Sequence, residues 1–209
     1  MVSFAGPSGV LGCLLDTAVP STYTRENDNG RCSIAASETR KDLYMKSLNE
    51  LHIGFIGLGN MGGAVAEGFV RAGIPAGNIY ACGGHFEKLS ARCAEISALA
   101  SSDAENEAGI HACHDVAEVA DASDIIFIAV KPVKIPTVIK PYAAHFADKL
   151  VVSVAWGYDL ARYEREEILP ASAHLLCTIP NIPVSVGKGI FIAEKATSLT
   201  SEEKTLVHS

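Results

Sequence analysis

From residue 51 onward, short apolar runs alternate with stretches whose apolar positions recur at helical spacing. Leu51 to Ile56 is a compact apolar run ending at a glycine, the pattern of a strand buried on both faces. Between Asn60 and Ala72, the residues Met61, Ala64, Val65, Gly68, Phe69 and Ala72 share one helical face, and Gly73 and Pro75 end the helix. The pattern then predicts a strand over Asn78–Cys82, a helix over Phe86–Leu99, a short strand at Ile110–Cys113 and a helix over Val116–Ala122. A strong strand over Asp124–Val130 is closed by Lys131-Pro132, and a helix is expected from Val133 to Phe146. A strand over Lys149–Ala155, a helix over Leu160–Ile168 and a strand over Ala173–Thr178 follow, with Ile190–Ala193 a candidate for one more. Strands that are apolar throughout and alternate with helices imply an α/β fold, a doubly wound, mostly parallel sheet with helices on both faces.

Residues 1–50 have no such period. Gly, Pro, Ser, Thr and Asn are frequent there, and Tyr23 to Cys32 is mostly polar. This reads as a disordered extension. Met45 opens a phrase directly ahead of the first strand, so residues 1–44 are expected to be dispensable, or to reflect a start placed too early.

Bulk composition narrows the function classes. A formal net charge of -7 argues against a nucleic-acid surface. No apolar run approaches the roughly eighteen residues of a membrane span, and no basic residue precedes the short run Val10–Leu15. The chain therefore reads as a soluble, cytoplasmic protein. Six cysteines fall at irregular spacing without a Cys-x-x-Cys pair, so reduced thiols are expected rather than disulfides. The run His111-Ala112-Cys113-His114 has metal-ligating types, but at a strand end neighbouring side chains point to opposite faces. No metal is expected.

Gly57-Leu58-Gly59-Asn60-Met61-Gly62 carries the chemistry. A Gly-x-Gly-x-x-Gly string is weak alone, but here it follows a predicted strand and opens a predicted helix. In a Rossmann-type domain the first glycine allows the tight turn, the second admits a pyrophosphate to the backbone, and the third lets helix and strand pack closely. Free amides at the helix start then face the phosphates. An enzyme for NAD places Asp or Glu about twenty residues further on, bonded to the ribose 2′-hydroxyl. The count lands on Cys82-Gly83-Gly84-His85, which contains no acid. NADPH is thus expected over NADH, with His85 or Lys88 the available cations for the 2′-phosphate.

From Ile53 onward the sequence resembles the pyrroline-5-carboxylate reductases, the last enzymes of proline synthesis. The likeness rests on Ile53 to Gly62, on Ala129-Val130-Lys131-Pro132, and on Pro180-Asn181-Ile182-Pro183 ahead of Val186-Gly187-Lys188-Gly189. Val151 to Ala155 falls between them in the expected order. Hydroxyacid dehydrogenases related to 3-hydroxyisobutyrate dehydrogenase share such a glycine turn, and the second and third segments favour the reductases. The resemblance implies hydride transfer from NADPH to the imine carbon of 1-pyrroline-5-carboxylate, giving L-proline. It also implies that Val130 to Pro132 shape the nicotinamide-ribose pocket, that Ala155 and Trp156 border the cofactor, and that Asn181 lies near the nicotinamide amide or substrate. Lys131 also reads as a surface lysine at a strand end, and Asn181 as a turn residue between prolines.

Two positions depart from the family. It commonly has a small residue where Trp156 stands, and an Asn that touches the adenosine ribose where Val116 falls. The family also continues into a helical C-terminal domain that builds the dimer and supplies most substrate-binding groups. Here residues 51–195 read as the dinucleotide-binding domain and 196–209 as the opening of that helical region, so a truncated product of low activity is expected and no catalytic acid is named. A reductase of another small imine or hydroxyacid, and a binding remnant without catalysis, remain alternatives.

Overall fold

The computed structural model describes residues 50–100, 108–201 and 203, together with the backbone of residues 2–4. The strands are β1 (Val2–Phe4), β2 (Ile53–Ile56), β3 (Ile79–Cys82), β4 (His111–Ala112), β5 (Ile125–Ile128), β6 (Leu150–Ser153), β7 (His174–Pro180) and β8 (Phe191–Ala193). They form one sheet in the order β1-β8-β7-β6-β5-β2-β3-β4. All pairings from β7 across to β4 are parallel, while β8 and β1 add antiparallel at one edge. The chain runs outward from β2 through β3 to β4, then returns to start again at β5 on the other side of β2. This reversal is the topological switch of a Rossmann-type sheet, and crevices for ligands open beyond the strand ends at such a point.

Helices α1 (Asn60–Arg71) and α2 (Phe86–Ser97) cover one face, and α3 (Val116–Ala122), α4 (Ile135–Val138) and α5 (Leu160–Arg165) the other. The two-residue period of the strands divides the core accordingly. Ile125 and Phe127 pack beneath α1 and α2, whereas Ile126 and Ile128 pack beneath α3 and α4. On the first face Phe55 and Phe127 stack at 5.2 Å, and Phe69 from α1 closes edge-on over Phe127 at 5.4 Å. On the second, α3 lies so close to β2 that a Cβ on Gly54 would stand 2.5 Å from the Ser123 hydroxyl oxygen.

The expected helix over Val133–Phe146 is broken into three pieces, a 3-10 turn at Pro132–Lys134, α4, and a 3-10 segment over Lys140–Phe146. Each piece carries a proline in its first turn. Proline has no N–H to give a preceding turn, so Pro136 and Pro141 restart the helix instead of continuing it. The expected strand at Ile190–Ala193 forms as β8, but antiparallel.

Residues 1–50, read above as an extension without regular structure, depart from that reading at Val2–Phe4. These three residues pair with Phe191–Ala193 and cover the open edge of β8. A three-residue strand is too short to show a period, and its ladder is dictated by the distant strand it joins. Residues 5–49, including Tyr23–Cys32, Cys13 and Cys32, lie outside the described residues. At the other end, residues 197–200 and Glu203 pack onto the sheet. The Thr197 hydroxyl donates to the Leu175 carbonyl at 2.6 Å, the Leu175 N–H donates to Ser198 Oγ at 2.7 Å, and Leu199 enters the core. The carboxylate of Glu203, 2% exposed, meets Nδ1 of buried His174 at 2.5 Å.

No helix among the described residues is long and apolar enough to cross a membrane. The three metal-type residues at β4 take separate neighbours. His111 stacks on Tyr80, His114 stacks on Phe86, and Cys113 is buried.

Candidate functional site

The carboxyl ends of four strands are tied together at the switch point. Gly57 N–H donates to the Cys82 carbonyl at 2.9 Å, Ala129 N–H to Ile56 at 2.9 Å, and Val154 N–H to Ile128 at 3.0 Å. These bonds extend the ladder past β2, β5 and β6 and fix the turns that follow. Two adjoining cavities, of about 540 and 310 Å³, open there and share Gly57, Gly83, Gly84, Val130 and Val138.

The three glycines of the turn have different physical reasons. Gly57 stands at φ +97°, in the left-handed region that side chains avoid, with Ala129 O 2.9 Å from where a Cβ would sit. A Cβ on Gly62 would lie 2.1 Å from the Gly57 carbonyl oxygen and 2.9 Å from Ala129 Cβ, so α1 could not approach β5 as it does. Gly59 has nothing within 4 Å of its Cβ position. Among the described residues no atom fills that position, and Gly59 lines the larger cavity.

The start of α1 is the site's electrostatic centre. Its N-cap is Gly59, no side chain caps it, and no acidic residue lies in its first turn. By contrast α3 and α5 are capped by the carboxylates of Asp115 and Asp159. The free N–H groups and dipole of α1 therefore attract an anion. The larger cavity is lined by the cationic side chains of Lys88, Arg92, Lys131 and Lys134, together with His85, and among the described residues by no carboxylate. Cys82 borders the smaller cavity as a neutral thiol, because burial, then Cys113 and the carboxylates of Asp115 and Glu118, push it up to about 12. The turn, the uncapped helix and the basic walls fit a phosphate-bearing cofactor.

The cavities bring together Gly57, Leu58, Gly59, His85, Ala129, Val130 and Lys131 in the larger and Cys82 in the smaller. Asn60 and Met61 open α1 beside them, with Met61 turned partly onto the core. Gly62 and Pro132 serve packing and the start of the 132–134 turn. The expected positions for Ala155, Trp156 and Asn181 are not met at these walls. Ala155 is buried in the core, Trp156 is 74% exposed, and Asn181 Oδ1 accepts the Ile190 N–H at 2.8 Å, bracing its own loop. Sequence reading missed Arg92 and Lys134. The signal for Arg92 was its place one helical turn after Lys88 and two after His85, on the same face of α2.

Comparison with known proteins bears on this site directly. Residues 52–157 match the family described as NADP oxidoreductase, coenzyme F420-dependent. The chain is 37% identical over 158 residues to a pyrroline-5-carboxylate reductase of Treponema pallidum, covering 73% of this chain and 54% of that protein. It is 32% identical over 162 residues to pyrroline-5-carboxylate reductase 3 of Danio rerio, covering 76% and 50%. A crystal structure of the Plasmodium falciparum pyrroline carboxylate reductase with NADP bound superposes with a TM-score of 0.57 at 25% identity, covering 76% of this chain and 53% of that one. The chain thus spans about half the length of the relatives it matches. With the matched region containing β2 to β6, the glycine turn and both cavities, the chain belongs to this family of NADP oxidoreductases, and over about half their length it is similar to pyrroline-5-carboxylate reductases.

Proposed function

We propose that the chain binds NADPH across the ends of β2, β3 and β5 and serves the reduction of 1-pyrroline-5-carboxylate to L-proline. The observation that supports the binding half is Gly59, with open space at its Cβ position at the mouth of an uncapped helix, where a bare backbone leaves room for a pyrophosphate. Substrate and reaction come from the relatives, whose names state that activity.

The bound cofactor would supply the hydride. The chain's own residues bind and orient. Gly57 to Gly59 and the first amides of α1 hold the pyrophosphate, and Gly83-Gly84 give the adenosine half a floor without side chains. Leu58, Ala129 and Val130 present apolar surface along the groove. Holding reacting atoms in place is the largest service a protein gives such a reaction. The bond from Asn181 to Ile190 keeps the Pro180–Pro183 loop in one shape at the end of β7, beside the strand ends where substrate would arrive.

Calorimetric titration of the 209-residue chain with NADPH and NADH, followed by NADPH oxidation with 1-pyrroline-5-carboxylate, tests both halves. Binding of NADPH more tightly than NADH is expected. Tighter NADH binding would overturn the cofactor assignment, and NADPH binding with turnover of other imines but not of this one would overturn the substrate.

A further inference from the structure

We propose that Arg92, with Lys88 and His85 on the same face of α2, is the reader of the cofactor's 2′-phosphate, and that Glu67 holds Arg92 in place until that phosphate arrives. The proposal rests on the dinucleotide reading above and adds the residue that sets its selectivity. Three observations carry it.

The first is position. α2 follows the end of β3, where an acid would sit in an NAD enzyme, and the segment Cys82 to His85 has none. Its basic residues at 85, 88 and 92 line the larger cavity on the side of Gly83 and Gly84, which border both cavities. Lys131 and Lys134 come from the opposite wall, after β5. A phosphate on the adenosine ribose therefore meets the α2 cations, while the pyrophosphate is held at Gly57 to Gly59.

The second is reach. The Arg92 guanidinium lies over the first turn of α1, its Nη2 only 3.0 Å from where a Cβ on Gly63 would be. Glycine at 63 gives the planar group this lodging, from which Arg92 lines the larger cavity. A guanidinium there can present a fork of N–H groups to a phosphate.

The third is what holds it. Arg92 Nη2 donates to Glu67 of α1, and Nη1 to Glu95 Oε2 at 3.0 Å. Its side chain is 35% exposed and that of Glu67 20%. Partly exposed pairs contribute about 1 kcal/mol or less to stability, and this one also fixes the guanidinium over α1. Glu67 and Glu95 do not line the cavity, and their carboxylates leave the guanidinium oriented without placing negative charge on its walls. A 2′-phosphate competes for the same N–H groups with more charge than a carboxylate.

The test uses the full chain and three variants, Arg92→Gln, Arg92→Lys and Glu67→Gln, titrated with NADPH and with NADH. Loss of a charge-assisted contact predicts that Arg92→Gln weakens NADPH about tenfold or more and NADH by less than about twofold. Arg92→Lys should recover part of the loss. Glu67→Gln should tighten NADPH and leave NADH unchanged. NADH is the internal control, because a damaged fold or a damaged pyrophosphate seat would weaken both cofactors alike. Equal losses for the two, or no loss for NADPH, would overturn the assignment of Arg92. A wild-type chain that binds neither cofactor would overturn the dinucleotide reading itself, a different failure from the first.

Discussion

Single glycines in the turn separate folding from binding. Gly59 has open space at its Cβ position and an ordinary backbone, φ -75°, so Gly59→Ala is expected to leave the melting temperature within about a degree while weakening NADPH at least tenfold. Gly62→Ala places a methyl 2.1 Å from the Gly57 carbonyl oxygen, and overpacking of this kind costs roughly 1–3 kcal/mol. Thermal melts and cofactor titrations of the two variants side by side check this; a destabilised Gly59→Ala would mean the turn carries strain of its own. The buried thiols make a second residue-scale prediction. Cys82 is raised from the ordinary 9.0 to about 12, chiefly by burial, and Cys93 to about 11 for the same reason. A raised thiol is held protonated by folding, so its contribution to stability is fully present below about 9 and disappears as pH rises through about 12. At pH 8 the folded protein should leave Cys82, Cys93 and Cys177 unalkylated by iodoacetamide, read by mass spectrometry, and denaturant should expose all three. Rapid labelling of Cys82 in the folded state would show that the cavity wall opens.

Elements are coupled where glycine removes the space between them. A Cβ on Gly68 would stand 2.4 Å from the Val184 carbonyl oxygen, and a Cβ on Gly189 2.4 Å from Val184 Cα. The 3-10 turn Ile182–Val186 thus rests directly on α1, and the Pro-Asn-Ile-Pro loop is positioned by the same helix that begins at the phosphate turn. Gly68→Ala should lower stability by about 1–3 kcal/mol and raise protease cleavage within 182–190; an unchanged melt would show that the turn is free to shift. The sequence made the helix of this contact legible, because Val65, Gly68, Phe69 and Ala72 keep a helical period, but it gave no sign of the partner, 116 positions further on at Val184. The same division runs through the fold. Apolar strands announced themselves because both faces are buried, as in Ile125–Ile128, where all four residues are buried. The break at Pro136 and Pro141 was written in the sequence, yet an apolar period across it read as one helix. β1 was illegible, because three residues without a period take their structure from Phe191–Ala193. Of the site, the glycine turn was legible through its local context. Arg92 was legible only in part: its spacing from Lys88 and His85 gives the face of α2, but its place at the cavity depends on how α2 packs against α1 through Gly63.

At the scale of the molecule the charge is arranged against the mean. The chain carries a formal net charge of -7, yet the charged residues lining the larger cavity are Lys88, Arg92, Lys131 and Lys134. A dinucleotide phosphate approaching from afar meets the negative net charge of the chain, and at the larger cavity it meets lysine side chains. Two ranges of interaction therefore act with opposite sign. Salt weakens both, but the screening length of about 8 Å at physiological ionic strength exceeds a direct ion-pair distance of about 4 Å. Low salt should accordingly leave repulsion at long range, so that association is slower than for a uniformly basic protein, while bound phosphates are held by neighbours too close to be fully screened. The cofactor with the additional phosphate feels the near field more strongly. NADPH affinity should fall more steeply than NADH affinity between about 50 and 500 mM salt, because more charge is exchanged for counterions at the walls. Titrations of both cofactors across that range give the two slopes. Parallel slopes would mean that the basic walls do not touch the 2′-phosphate, and that the preference between cofactors must arise from shape at Gly83 and Gly84 instead.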